Sequence, residues 1–103
     1  MNRMRIAVLI SGSGSNLQAI IDACEKQQIN GDIVAVISNR PNVYGLERAE
    51  KASIETVVLD HKEFESREAY DSALMEKIDN FTPDLVVLAG FMRILTPGLV
   101  QKY

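Results

Sequence analysis

The 103-residue sequence is poor in several things, and each shortage removes a class of function. It has one cysteine, Cys24, so no internal disulfide can form and nothing points to an oxidising compartment. It has no basic run, and its net charge of −3 argues against nucleic acid and anionic membranes as partners. No apolar run is long enough to cross a bilayer. The start, MNRMR followed by IAVLI at 6–10, has the look of an export signal, but Ser11-Gly12 breaks the apolar run too early. The expectation is a cytoplasmic protein. Hydrophobic residues at 47% and charged residues at 24% are ordinary globular proportions, which excludes disorder and predicts a single domain over 1–103.

What is present is an alternation of strand and helix signals, without repeats or linkers. IAVLI at 6–10 is uninterrupted and apolar, as a central parallel strand covered on both faces must be. Leu17, Ile20, Ile21 and Cys24 follow at helical spacing, and Asn30-Gly31 is expected to stop that helix. IVAVI at 33–37 predicts a second strand, with SNRPN at 38–42 as the loop after it. Leu46, Ala49 and Ala52 mark a short helix, and TVVL at 56–59 a brief third strand. Ser66 can cap a longer helix, with Glu68 in its first turn and Tyr70, Leu74, Ile78 and Phe81 as its buried stripe. Pro83 ends it, and LVVLA at 85–89 is a fourth strand closing on Gly90. This order predicts an α/β fold, a Rossmann-like doubly wound parallel sheet with strand order 3-2-1-4.

Thr96-Pro97 reads as the start of another helix, yet only residues 98–103 follow. The fourth strand would also keep one apolar flank unpaired. Both features lead to the expectation that the fold is truncated. The open edge would then serve self-association or pairing with a carboxy-terminal half.

Gly12-Ser13-Gly14 opens a glycine loop between the first strand and the first helix. A dinucleotide site needs a third glycine, where this chain has Leu17, and an acidic residue after the second strand, where it has Ser38-Asn39-Arg40. NAD is therefore disfavoured, while Arg40 keeps the 2′-phosphate of NADP open as an alternative. A single phosphate suits the loop better. Gly12 and Gly14 permit a tight turn, Ser13, Ser15 and Asn16 offer donors, and the helix directs its free N–H groups at the same place. The plainer alternative is a small-residue turn in which Ser15 or Asn16 is an ordinary helix cap.

Four stretches, ISGSGSNLQAIIDAC, SNRPNVYGLERA, FESREAYDSALMEKID and PDLVVLAGFMRILTP, resemble the glycinamide ribonucleotide formyltransferases, folate-dependent enzymes of purine synthesis. The resemblance covers nearly the whole chain in order, and LAGFMRIL is its most specific motif. It implies that Gly14, Ser15 and Asn16 hold the ribonucleotide phosphate and that Gly90 lies near the reacting arm of glycinamide ribonucleotide. Arg67, Met92, Arg93, Ile94 and Leu95 are implied as contacts of the cosubstrate, 10-formyltetrahydrofolate. In such enzymes the substrate amine attacks the formyl carbon, and an asparagine, a histidine and an aspartate serve the tetrahedral centre without a metal. None of those three is matched here, so no catalytic residue is assigned, and the chain is expected to be the amino-terminal, phosphate-binding half. It is expected to bind phosphate ligand weakly and to lack turnover; a non-catalytic phosphate- or NADP-binding module is the alternative.

The remaining chemistry-bearing residues read as structural. His61, in the polar DHKE at 60–63, matches no catalytic position and is expected to be exposed and functionless. Asp22 and Asp71 are expected on solvated helix faces, and Cys24 on a buried stripe.

Overall fold

The computed structural model describes residues 3–91. Met4–Ile10 forms β1, Ser15–Glu25 α1, Gly31–Ser38 β2, Tyr44–Lys51 α2 and Thr56–Val58 β3. A single 3-10 turn at His61–Glu63 then leads into α3, Arg67–Asn80, and β4, Leu85–Leu88. The strands lie in the order β3-β2-β1-β4, and every pairing is parallel. The expected α/β, doubly wound sheet is thus the observed one.

Its logic follows from β1. Residues on a strand alternate between faces, and here both faces are covered. Ile6, Val8 and Ile10 pack with Leu17 and Ile21 of α1 and with Leu46 and Ala49 of α2. Leu9 packs on the other side with Ile37 of β2 and with Tyr70, Leu74 and Ile78 of α3. Each valine, leucine or isoleucine side chain so removed from water contributes about 1.5–3 kcal/mol. A register shift between Ile6 and Ala7, where the partner of β1 passes from Ile33 to Ala35, keeps β2 in step with its neighbour.

The ends of the helices differ from expectation at two points. α1 does not run to Asn30-Gly31; it stops at Glu25, because Gln27 takes the left-handed conformation at φ 62° that a glycine usually supplies. Gly31 instead opens β2, where an added Cβ would lie 2.8 Å from Ile6 Cδ1. α3 begins as expected, with Ser66 Oγ accepting from the Ala69 N–H at 3.1 Å. Its buried side is wider than the expected stripe. Asp71 stands at i, i+3, i+7 with Leu74 and Ile78, so it shares their face and is 2% exposed rather than solvated.

Arg5 brings β4 back beside β1. Its backbone N–H donates to Asp84 Oδ2 at 2.8 Å, the Asp84 N–H donates to Arg5 O at 2.7 Å, and its guanidinium Nη2 donates to Phe81 O at 2.7 Å. These bonds clamp the turn after α3 to the start of the central strand. Among the described residues β4 pairs only with β1, and its Leu88 is exposed. No helix among the described residues is long and apolar enough to cross a membrane.

The two sides of this construction predict different costs. Leu74→Ala should lower unfolding free energy by about 2–5 kcal/mol, since it opens a cavity in the α3 face. Ser66→Ala should cost about 1 kcal/mol through the lost cap. Urea unfolding followed by circular dichroism measures both.

Candidate functional site

In a parallel sheet every strand points its carboxyl end at one edge, and the following helices begin there. At that edge the chain turns from β1 to β2 on one side and returns to β4 on the other, the kind of switch point at which open parallel sheets bind ligands. The residues of the glycine loop and Gly90 both sit on this edge, joined by the pairing of Leu9 with Leu88 and by the Ala89 N–H donating to Leu9 O at 2.9 Å.

The loop is held by its oxygens. The Gly12 carbonyl accepts from the Gly45 N–H at 3.0 Å, and the Ser13 carbonyl accepts from Arg48 Nε at 2.7 Å. Ser11, 3% exposed, donates its hydroxyl to Asn39 Oδ1 at 2.6 Å. The first bond of α1 then runs from the Gln18 N–H to Gly14 O at 2.8 Å. Gly14 itself is the N-cap, left-handed at φ 77°, and no side chain caps the helix. The plainer alternative, with Ser15 or Asn16 as an ordinary cap, is therefore not met. Both side chains are exposed, and the first-turn N–H groups of Ser15, Asn16 and Leu17 precede the helix's own bonding pattern. With no acidic residue in the first turn, the positive end of the helix is not neutralised from within.

Two glycines make this geometry by close contact. A Cβ on Gly14 would come within 2.6 Å of Gly45 Cα, and one on Gly45 within 2.5 Å of Ile10 Cδ1 and 2.9 Å of Gly12 O. The start of α2 thus lies directly against the loop. Arg48 reinforces it from the next turn, with Nη1 donating to Gln18 Oε1 at 3.3 Å and its guanidinium 4.6 Å from the centre of the Tyr44 ring. Gly45, Arg48, Asn39 and Ser11 were not marked by sequence reasoning. Gly45 had a signal: glycine inside a helix is unfavourable by about 1 kcal/mol, so its presence there points to a close approach.

Gly90 also needs to be glycine, but for another reason. Its φ is 75°, and among the described residues an added Cβ would meet nothing within 4 Å. Arg67 is exposed in the first turn of α3, which likewise starts at the carboxyl edge. Met92, Arg93, Ile94 and Leu95 lie outside the described residues, as does Thr96-Pro97.

The structure places the other singled-out residues as follows. Arg40 is exposed just beyond β2 and lines a pocket of about 400 Å³ with Pro41, Val43, Asp60, His61 and Lys62. His61 is half-buried rather than exposed, because its ring folds back on the end of β2, with Nδ1 3.2 Å from Asn39 O. Asp22 is exposed and accepts from Gln18 Nε2 at 3.0 Å. Cys24 is half-buried at the opposite end of α1, in a pocket of about 240 Å³ with Asp32 and Ile54. Burial pushes its thiol above the ordinary cysteine range, Arg3 partly counters this, and Asp32 adds a little to it. Among the described residues no cluster of His, Cys, Asp or Glu is placed to hold a metal ion.

Substitutions at the glycines should separate close contact from open space. Gly14→Ala and Gly45→Ala should each lower stability by about 1–3 kcal/mol, whereas Gly12→Ala, with nothing within 4 Å of its Cβ, should stay within about 0.5 kcal/mol. Thermal unfolding of the three variants checks this. Cys24 should react with iodoacetamide more slowly than a free thiol at pH 8, because its raised pKa leaves less thiolate.

Comparison with known proteins agrees with this architecture. The phosphoribosylglycinamide formyltransferase of Escherichia coli is 58% identical over 100 residues, covering 97% of this chain and 47% of its own length. The trifunctional purine biosynthetic protein adenosine-3 of Drosophila melanogaster is 52% identical across 98% of this chain, which spans only 8% of that protein. A crystal structure of glycinamide ribonucleotide transformylase 1 from Symbiobacterium toebii superposes with a TM-score of 0.94 at 44% identity, covering 98% of this chain and 48% of that one. The chain thus spans about half the length of the bacterial relatives. The formyl transferase family model matches residues 4–103, the whole of the sheet and its helices included, and the chain belongs to that family.

Proposed function

We propose that these residues are the amino-terminal, ribonucleotide-holding half of an enzyme that passes a formyl group from 10-formyltetrahydrofolate to the amine of glycinamide ribonucleotide in purine synthesis. One observation carries the reading: α1 starts after Gly14 without a side-chain cap, at the carboxyl edge where β4 lies beside β1. A phosphate seated there would accept from the amides of Ser15 and Asn16 and meet the positive end of the helix. The inward-turned carbonyls of Gly12 and Ser13 keep negative charge away from it. Names and sequences of the relatives support the same substrate.

From that anchor the nucleotide would extend across the β1–β4 edge toward Gly90, where the lack of a side chain would let the reacting arm approach. Arg67 would meet an anionic group of the folate, with Met92, Arg93, Ile94 and Leu95 forming the wall around its pterin. The chain's own part in the reaction is to bind and orient, so that the amine meets the formyl carbon without a search through solvent. The asparagine, histidine and aspartate that serve the tetrahedral centre in this family are matched by no residue here. The 103-residue chain by itself would therefore bind phosphate ligand weakly and not turn over. The outer edge of β4 would take a further strand, from a carboxy-terminal half or from a second copy. A cytoplasmic setting belongs to the same reading.

Calorimetry tests the anchor. Glycinamide ribonucleotide should bind, and Ser15→Asp, which sets a carboxylate in the first turn, should weaken it by about tenfold or more. Binding of NADPH in place of the ribonucleotide would assign the edge to Arg40 instead. Formyl transfer by the 103-residue chain alone would overturn the inactivity.

A further inference from the structure

We propose that His61 and Asn39 are positioning residues for the phosphate loop, acting through Ser11; this rests on the phosphate reading above. Three consecutive strands end side by side at the carboxyl edge, and a hydrogen-bonded chain crosses all three endings. It starts in the turn after β3, where His61 Nδ1 lies 3.2 Å from Asn39 O. A carbonyl oxygen only accepts, so Nδ1 carries the proton and the ring's orientation is set by this bond. Asp60 stands beside the ring at 4.0 Å and accepts from the Lys62 N–H at 3.0 Å, so the turn carrying His61 is itself braced.

Asn39 is the middle link. It is 2% exposed, and its backbone is held from both sides, by its own N–H donating to Ile10 O at 3.3 Å and by His61 on its carbonyl. Its side-chain oxygen accepts from Ser11 Oγ at 2.6 Å. Ser11 directly precedes Gly12, so anchoring its side chain to Asn39 holds the point from which the loop leaves β1. The loop is thus gripped from α2 by Gly45 and Arg48, and from the β2 side by Asn39 and His61. A phosphate site made of backbone N–H groups depends on their orientation, and a displacement of an ångström is costly to it. A buried polar bond of this kind also has no cheap substitute, since each partner left alone keeps its desolvation penalty.

The experiment compares the full chain with His61→Ala and His61→Gln. Glutamine keeps an N–H that can donate to Asn39 O; alanine does not. Affinity for glycinamide ribonucleotide is measured by calorimetry, loop geometry by the amide resonances of Gly12 and Gly14, and stability by thermal unfolding. His61→Ala should weaken binding about five- to tenfold and shift both glycine resonances, and His61→Gln should restore most of each. Unchanged affinity and unchanged glycine resonances in His61→Ala would overturn the proposal. So would loss of folding in His61→Ala, or equal loss of affinity in both variants in step with stability, since the role would then be structural. Failure of the unsubstituted chain to bind the ribonucleotide would instead remove the phosphate reading, and this inference with it.

Discussion

The constraint on which the structure depends is that β1 is buried on both faces. A strand without water on either side must satisfy its backbone groups with neighbours, and β1 does so with β2 and β4. Parallel neighbours cannot be joined by tight turns; they need crossovers, and the crossovers here are helices that cover the faces. α1 and α2 cover one side of β1 through Ile6, Val8 and Ile10, and α3 covers the other through Leu9. The same arrangement brings the carboxyl ends of the strands and the starts of the helices to one edge. The location of the site is therefore a consequence of how the core is closed.

At that edge the chain sorts its polar backbone groups. Carbonyls of the glycine loop are turned inward, onto Gly45 and Arg48 of α2, and the Ser11 hydroxyl is turned onto Asn39. The amides of the first turn of α1 precede the helix's own bonding pattern, and no side chain caps them. Such sorting needs a left-handed residue at the join and room for two backbones to touch, which Gly14 and Gly45 supply together. With no acidic residue in the first turn of α1, the positive end of the helix dipole at Gly14 is not offset from within the helix.

Three features depart from expectation. Asp71 was placed in solvent because charge usually marks the outer face of a helix, yet α3 lies close enough to the sheet to bury it. His61 was placed in a free polar loop, yet the turn after β3 folds back against Asn39. α1 is expected to run on to a glycine, yet Gln27 adopts the left-handed conformation and Gly31 instead opens β2 against Ile6 and Met4. At Asp71 and His61 a neighbour from a distant part of the chain decides the outcome.

By itself the sequence determined the order of elements, the strand order and the loop on which a phosphate could sit. These follow from local rules: uninterrupted apolar runs make buried strands, helical spacing makes stripes, and parallel crossovers have one hand. Family motifs around Gly14, Arg67 and Gly90 were equally legible, being contiguous in the chain. Tertiary structure alone decided the contact of Gly14 with Gly45, the reach of Arg48 to the Ser13 carbonyl, and the chain from His61 through Asn39 to Ser11. The reason is physical. These contacts join residues that only the crossovers bring together, and whether two groups lie at bonding distance depends on packing that no local periodicity encodes.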